Sequence, residues 1–157
     1  MAHTLTAPAP PAPHEAVRAA SDRLKADGAL AGVTRLGGAH VYRQREPLPG
    51  REPARYLVVR IPQMPGGLAE GHARAVVVPV QVTTFTKAGT TGDVDGLHAA
   101  IHDRVHALLA GFSPALPHGM VGVPFQRRGA PGAVAFDPAI DAHYASALYH
   151  VTLNPRI

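Results

Sequence analysis

Residues 73–110 switch hydrophobic period once, and that switch restricts the possible folds more than any other feature of the chain. The stretch ARAVVVPVQVTTFT, residues 73–86, is dense in β-branched residues and predicts a strand. After the Gly89-Thr90-Thr91-Gly92 turn, Val94, Leu97, Ile101, Val105 and Leu108 recur at spacings of three and four. That is the spacing of a helix with one buried side. Asp93 is the expected N-cap, because its carboxylate can accept backbone N–H groups that lack a helical partner. Gly111 is the expected stop, since glycine enters the left-handed conformation without a Cβ penalty. Pro79 lies inside the strand and cannot donate a ladder hydrogen bond, which predicts an edge or a bulge there.

The remaining segments extend this pattern. Val17, Ala20 and Leu24 predict a first helix over residues 14–26, with Asp27-Gly28 as its stop. Residues 39–42 predict a brief strand, and residues 43–53, broken by prolines, a loop. RYLVVRI (residues 55–61) predicts another strand, and the Pro- and Gly-rich PQMPGGLAEGH that follows suits a long projecting hairpin. Two further strands are expected over residues 120–126 and 144–153, separated by a Gly/Pro/Arg loop over residues 127–138. In the last strand Ala145, Ala147, Tyr149, Val151 and Leu153 alternate with Ser146, Leu148, His150 and Thr152, one buried face against one wetter face. The expected class is α+β: a mostly antiparallel sheet of about five strands packed with two helices, with a projecting hairpin and loops. A length of 157 residues fits one domain over residues 14–157, preceded by a flexible Ala/Pro-rich arm over residues 1–13.

Composition excludes several chemistries. With no cysteine there is no disulfide framework, thiolate metal site or cysteine nucleophile. The net charge of +4 is spread along the chain. Arg43, Arg45, Arg51, Arg55 and Arg60, together with Arg127 and Arg128, are read as a solvated loop face and not as a nucleic-acid stacking platform. No apolar run approaches the roughly 18 residues of a membrane span, and no export signal is read at the N-terminus. The serines, Ser21, Ser113 and Ser146, lack the flanking glycines of a nucleophile elbow. Gly66-Gly67 and the run from Gly89 to Gly92 lack the Gly-Lys-Ser/Thr ending of a phosphate loop. His98, His102 and His106 stand one turn apart, a spacing at which two imidazoles can share a metal, with Asp95 and Asp103 nearby. No glutamate base stands in the HEXXH register, and at about 100° per residue the three histidines are expected to drift from the border of the apolar stripe towards the solvent side. No metal, cofactor or catalytic residue is expected; a His-dependent metal enzyme is the alternative from a different class.

In its order of elements the chain resembles the tail terminator (tail completion) proteins of long-tailed phages. The resemblance covers about residues 14–153. It rests on a first helix closing in ADGALAGV, a His-Val-Tyr strand and a Pro-rich loop before RYLVVRI. It continues through VVVPVQVTTFT, a short turn and DVDGLHAAIHDRVHALLAG, and ends with GVPFQRR and YASALYHVTL. The resemblance implies a structural virion protein and not an enzyme, forming a ring, usually a hexamer, on the head-proximal end of the tail tube. That ring would stop tube polymerisation and offer a docking face to the neck. The implied partners are further copies of the chain, the major tail tube protein and the head–tail connector or neck proteins. DNA would pass only through the lumen, and the protein would be assembled in the host cytoplasm. Candidate contact residues are Gln63, Met64, Leu68 and Glu70 in the hairpin, Lys87 in the following turn, and Arg127 and Arg128 in the later excursion. Another head–tail joining or tail-associated subunit is the nearest alternative.

Overall fold

The computed structural model describes residues 12–33, 40–62 and 75–155. Residues 1–11 of the expected arm and residues 63–72 of the expected hairpin, with Gln63, Met64, Leu68 and Glu70, lie outside these residues, while Pro13, expected to end the arm, opens α1. The element order is α1 (Pro13–Lys25), α2 (Gly28–Val33), β1 (Val41–Arg43), β2 (Arg55–Arg60), β3 (Val76–Lys87), α3 (Val94–Leu109), β4 (Gly119–Arg127), β5 (Ala135–Asp137) and β6 (Ala142–Pro155). The fold is α+β with a mostly antiparallel sheet, as the pattern predicts. Two elements were not anticipated. Asp27-Gly28 does more than stop α1: the Asp27 carboxylate accepts the Leu30 N–H at 2.9 Å and so starts α2. Within the expected loop over residues 127–138, Ala135–Asp137 pair with Ala142–Tyr144 as β5.

The strands run in the order β1-β2-β3-β6-β4, with β5 also on β6. β1 lies parallel to β2, while the other pairs are antiparallel. The β3–β6 ladder runs from Val76↔Leu153 to Lys87↔Ala142 and forms the spine of the sheet. β2 reaches only to Arg60↔Gln81, so Pro79 faces a ladder partner on β6 alone. A missing N–H is tolerated at such a locally one-sided position.

Period-two alternation divides the sheet into two faces. On one face Leu57, Val59, Val78, Val80, Val82, Tyr149, Val151 and Leu153 meet Val17, Ala20 and Leu24 of α1 and Ile101, Val105 and Leu109 of α3. These buried hydrocarbons supply the main stabilising term, roughly 25 cal/mol per Å² removed from water. The opposite face carries a smaller cluster of Tyr56, Val58 and Phe85, flanked by Tyr42, Ile140 and Tyr144. Tyr56 and Phe85 stack with ring centroids 4.7 Å apart.

The helix ends follow the expected chemistry. Asp93 Oδ1 accepts the Gly96 N–H at 3.0 Å, and Gly111 adopts φ +75° just beyond α3. From that turn the Gly111 N–H donates to the Phe125 carbonyl at 2.8 Å, and the Phe125 N–H donates to the Phe112 carbonyl at 3.1 Å. The end of α3 is thereby bonded directly to β4.

Candidate functional site

The histidine row on α3 departs most from the sequence expectation. His98 and His102 are not surface groups: they are 1% and 2% exposed and face the sheet. His98 Nε2 lies 2.7 Å from Thr86 Oγ1. His102 Nε2 lies 3.2 Å from Thr84 Oγ1 and 3.1 Å from the Ala145 carbonyl oxygen. His106 is half-buried, its ring 6.2 Å from that of Tyr149. The reason is geometric. α3 packs against both the sheet and the other helices, so its buried residues are His98, Ile101, His102, Val105 and Leu109. Its flank reaches towards α1 and α2: the Leu108 carbonyl accepts from Arg23 Nε at 2.8 Å, and Arg104 holds Asp27 at 2.6 Å. The stripe is therefore rotated from the purely apolar one, and Thr84 and Thr86 supply the polar partners that make buried imidazoles tolerable.

The same packing bears on metal binding. Both Nε2 atoms are engaged, and no group of three or more His, Asp or Glu side chains is gathered for a metal ion among the described residues. The pair instead fastens a helix to a sheet. Thr86→Val should lower the unfolding free energy by about 1–3 kcal/mol, because it removes the partner of a buried imidazole nitrogen at nearly constant volume. Chemical denaturation of the two proteins measures this difference.

The face of the sheet opposite α1 and α3 offers surface for association. Along one end, Val77 pairs with Thr152 and Thr152 with Val123, placing both valines in one row across β3, β6 and β4. Val77, Val123 and the nearby Met120 are 53%, 41% and 54% exposed, high for large apolar groups. Further along, a hollow of about 260 Å³ is lined by residues that include Glu46, Arg60, Gln81, Asp137 and Tyr144. Within it Arg60 Nε donates to Gln81 Oε1 at 3.3 Å, and Thr83 and Ser146 hydroxyls lie 2.8 Å apart. Burial, reinforced by Glu46 and Glu52, pushes the Tyr56 hydroxyl up to about 12, so it is protonated at neutral pH.

Of the candidate contact residues, Lys87, Arg127 and Arg128 are within the described part. Lys87 ends β3, lies 3.9 Å from Glu52, and begins a turn closed by the Thr90 hydroxyl donating to the Lys87 carbonyl at 2.6 Å. The Ala88 N–H donates to the Asp141 carbonyl at 3.0 Å, joining this turn to the β5–β6 connection. Arg127 pairs with Tyr149 at the end of β4, and the Arg128 N–H donates to the Leu148 carbonyl at 2.7 Å. Leu148 and Ala142 are six residues apart on β6, roughly 20 Å at strand rise. The Lys87 turn and the arginine pair are thus separate surfaces. The excursion after Arg127 does not simply project, since the Gly132 N–H also bonds β6 through the Ser146 carbonyl at 2.9 Å. The exposed Met120 and Val123 were missed because β4 read from sequence as an ordinary strand; its lack of charge from Gly119 to Gln126 was the available signal.

No family model matches the chain, and no curated protein matches it. Among solved structures, it is similar to a chain in "Virion of native gene transfer agent (GTA) particle", with a TM-score of 0.63 and 18% identity. The likeness covers 88% of this chain and 93% of that one. At that identity the shared property is the fold, and it extends over nearly the whole length of both chains.

Proposed function

We propose that this protein is a structural component of a phage-type virion, and within that class a tail terminator. It forms a ring on the head-proximal end of the tail tube, ends tube polymerisation and presents a docking face to the neck. The observation that carries this reading is the near-complete structural overlap with a chain of a gene transfer agent virion. It is joined by the order of elements, in which the sequence resembles tail terminators. The exposed apolar row on the face away from the helices suits a subunit that works through contact surfaces. No covalent chemistry is required: a head-to-tail interface of the right rotation closes into a ring, and a ring with two different faces ends a filament.

Two measurements test the proposal. Electron microscopy or native mass spectrometry of the purified protein is expected to show rings. When added to polymerising tail tube protein, the chain is expected to cap one end and narrow the length distribution. A protein that stays monomeric and leaves tube length unchanged overturns the reading. Rings that bind a neck protein but not the tube would move the assignment to another head–tail joining subunit.

A further inference from the structure

α3 is held to the sheet at two positions by imidazoles where hydrocarbon would ordinarily do the work. His102 sits in a defined protonation state. The Ala145 carbonyl 3.1 Å from Nε2 can only accept, so Nε2 carries the proton and the neutral ring keeps its lone pair on Nδ1. The Nδ1 atoms of both His98 and His102 are buried without a hydrogen-bond partner. A second proton on either ring would therefore place a charged N–H where nothing accepts it. The rings are neighbours at a spacing of four on one helix, so charging one opposes charging the other.

Their surroundings provide little compensation. From α3 itself, Asp95 and Asp103 line the adjoining cleft, but both are exposed to water. β6 contributes His143, and β4 contributes Arg127, each of which disfavours a further positive charge. β3 presents the uncharged Thr84 and Thr86, and the facing loop consists of Pro131, Gly132, Ala133 and Val134. The cleft between that loop and α3, about 300 Å³, is lined by both histidines.

We propose that His98 and His102 form an acid-operated release for α3: neutral, they clamp the helix to β3 and β6, and protonated, they free its first turns and open the adjoining cleft. Burial, then the neighbouring His102 and His143, lowers His98 from 6.5 to about 4. Burial likewise lowers His102. Because the folded values lie below the unfolded one, the clamp is at full strength above pH 6.5 and weakens as the pH falls towards 4. This device concerns a single chain and is independent of the virion reading.

Amide hydrogen exchange, corrected for intrinsic rates, tests the release. Protection over His98–Val105 is expected to fall at least roughly tenfold between neutral pH and about pH 4.5, while the β3 amides remain protected. The double variant His98→Gln, His102→Gln keeps a side-chain N–H towards Thr86, Thr84 and Ala145 but does not titrate, and its α3 is expected to stay closed over that range. Equal loss in both proteins, or an α3 that stays protected in the wild type, overturns the proposal. Should the double variant fail to fold, NMR of the wild type decides: loss of α3 amide protection that tracks the His98 titration supports the release, while a His98 midpoint at the ordinary histidine value of roughly 6.5, or protection that does not follow its titration, overturns it.

Discussion

Phe125→Ala should cost about 3–5 kcal/mol of unfolding free energy, the range for emptying a fully buried aromatic site. Phe125 is 0% exposed although it belongs to β4, an edge strand of the sheet. Its ring stacks on Phe112 at 5.9 Å, and its backbone makes both hydrogen bonds that join β4 to the turn after α3. The Arg23 guanidinium lies 4.4 Å above the Phe112 ring, so α1 meets the same cluster. A cavity here would loosen three elements at once. Phe136→Ala is the matched control: Phe136 is 47% exposed on β5, and its removal should change stability by less than about 0.5 kcal/mol. Denaturant titrations of the two variants test the contrast. A cost for Phe125→Ala below about 1 kcal/mol would show that β4 lies outside the cooperative core.

The second large effect is expected at Asp27. Its carboxylate accepts from Arg104 at 2.6 and 3.0 Å while also capping α2 through the Leu30 N–H. Asp27→Ala removes a two-point ion pair and a cap together, and should cost about 2–3 kcal/mol. Asp27→Asn keeps an oxygen for the cap and should recover about half of that loss. The Arg104 hydrogen bond, the largest influence, holds the Asp27 carboxyl below its ordinary 3.8. The sign is therefore opposite to that for the histidines' folded-state charge: Asp27 stabilises in its charged form. Its contribution is present above pH 3.8 and disappears as the pH falls through the lower folded value. Comparing the acid limbs of wild type and Asp27→Ala by circular dichroism should show that they converge at low pH. Arg104 is 41% exposed, so water screens the pair and most of the expected loss comes from the hydrogen bonds at the Asp27 end.

Local chemistry was legible wherever the chain's nearest neighbours settle it. Asp93 caps α3, Gly111 stops it, and the alternation from Ala145 to Leu153 places those residues in the core, each through contacts within a few residues or a simple period. The missed short strand β5 is different, because three residues carry too little pattern to reveal a partner at Ala142–Tyr144. Nor does any period announce that β1 runs parallel to β2 or that β6 lies between β3 and β4.

The histidines mark the boundary most clearly. An apolar template ranked Val94, Leu97, Ile101, Val105 and Leu108 as the buried stripe and left His98 and His102 outside it. The structure moves the stripe towards the two imidazoles because Thr86, 12 residues before His98, and Ala145, 43 residues after His102, meet them on the sheet. By itself the sequence determined the α+β class, the period of its main elements and their caps, since these depend on local backbone preferences and on which side chains avoid water. Strand order, the burial of two polar rings and the separation of the Lys87 turn from the Arg127–Arg128 surface were decided by tertiary structure. Each depends on partners that are distant in the chain and become neighbours only when the sheet forms.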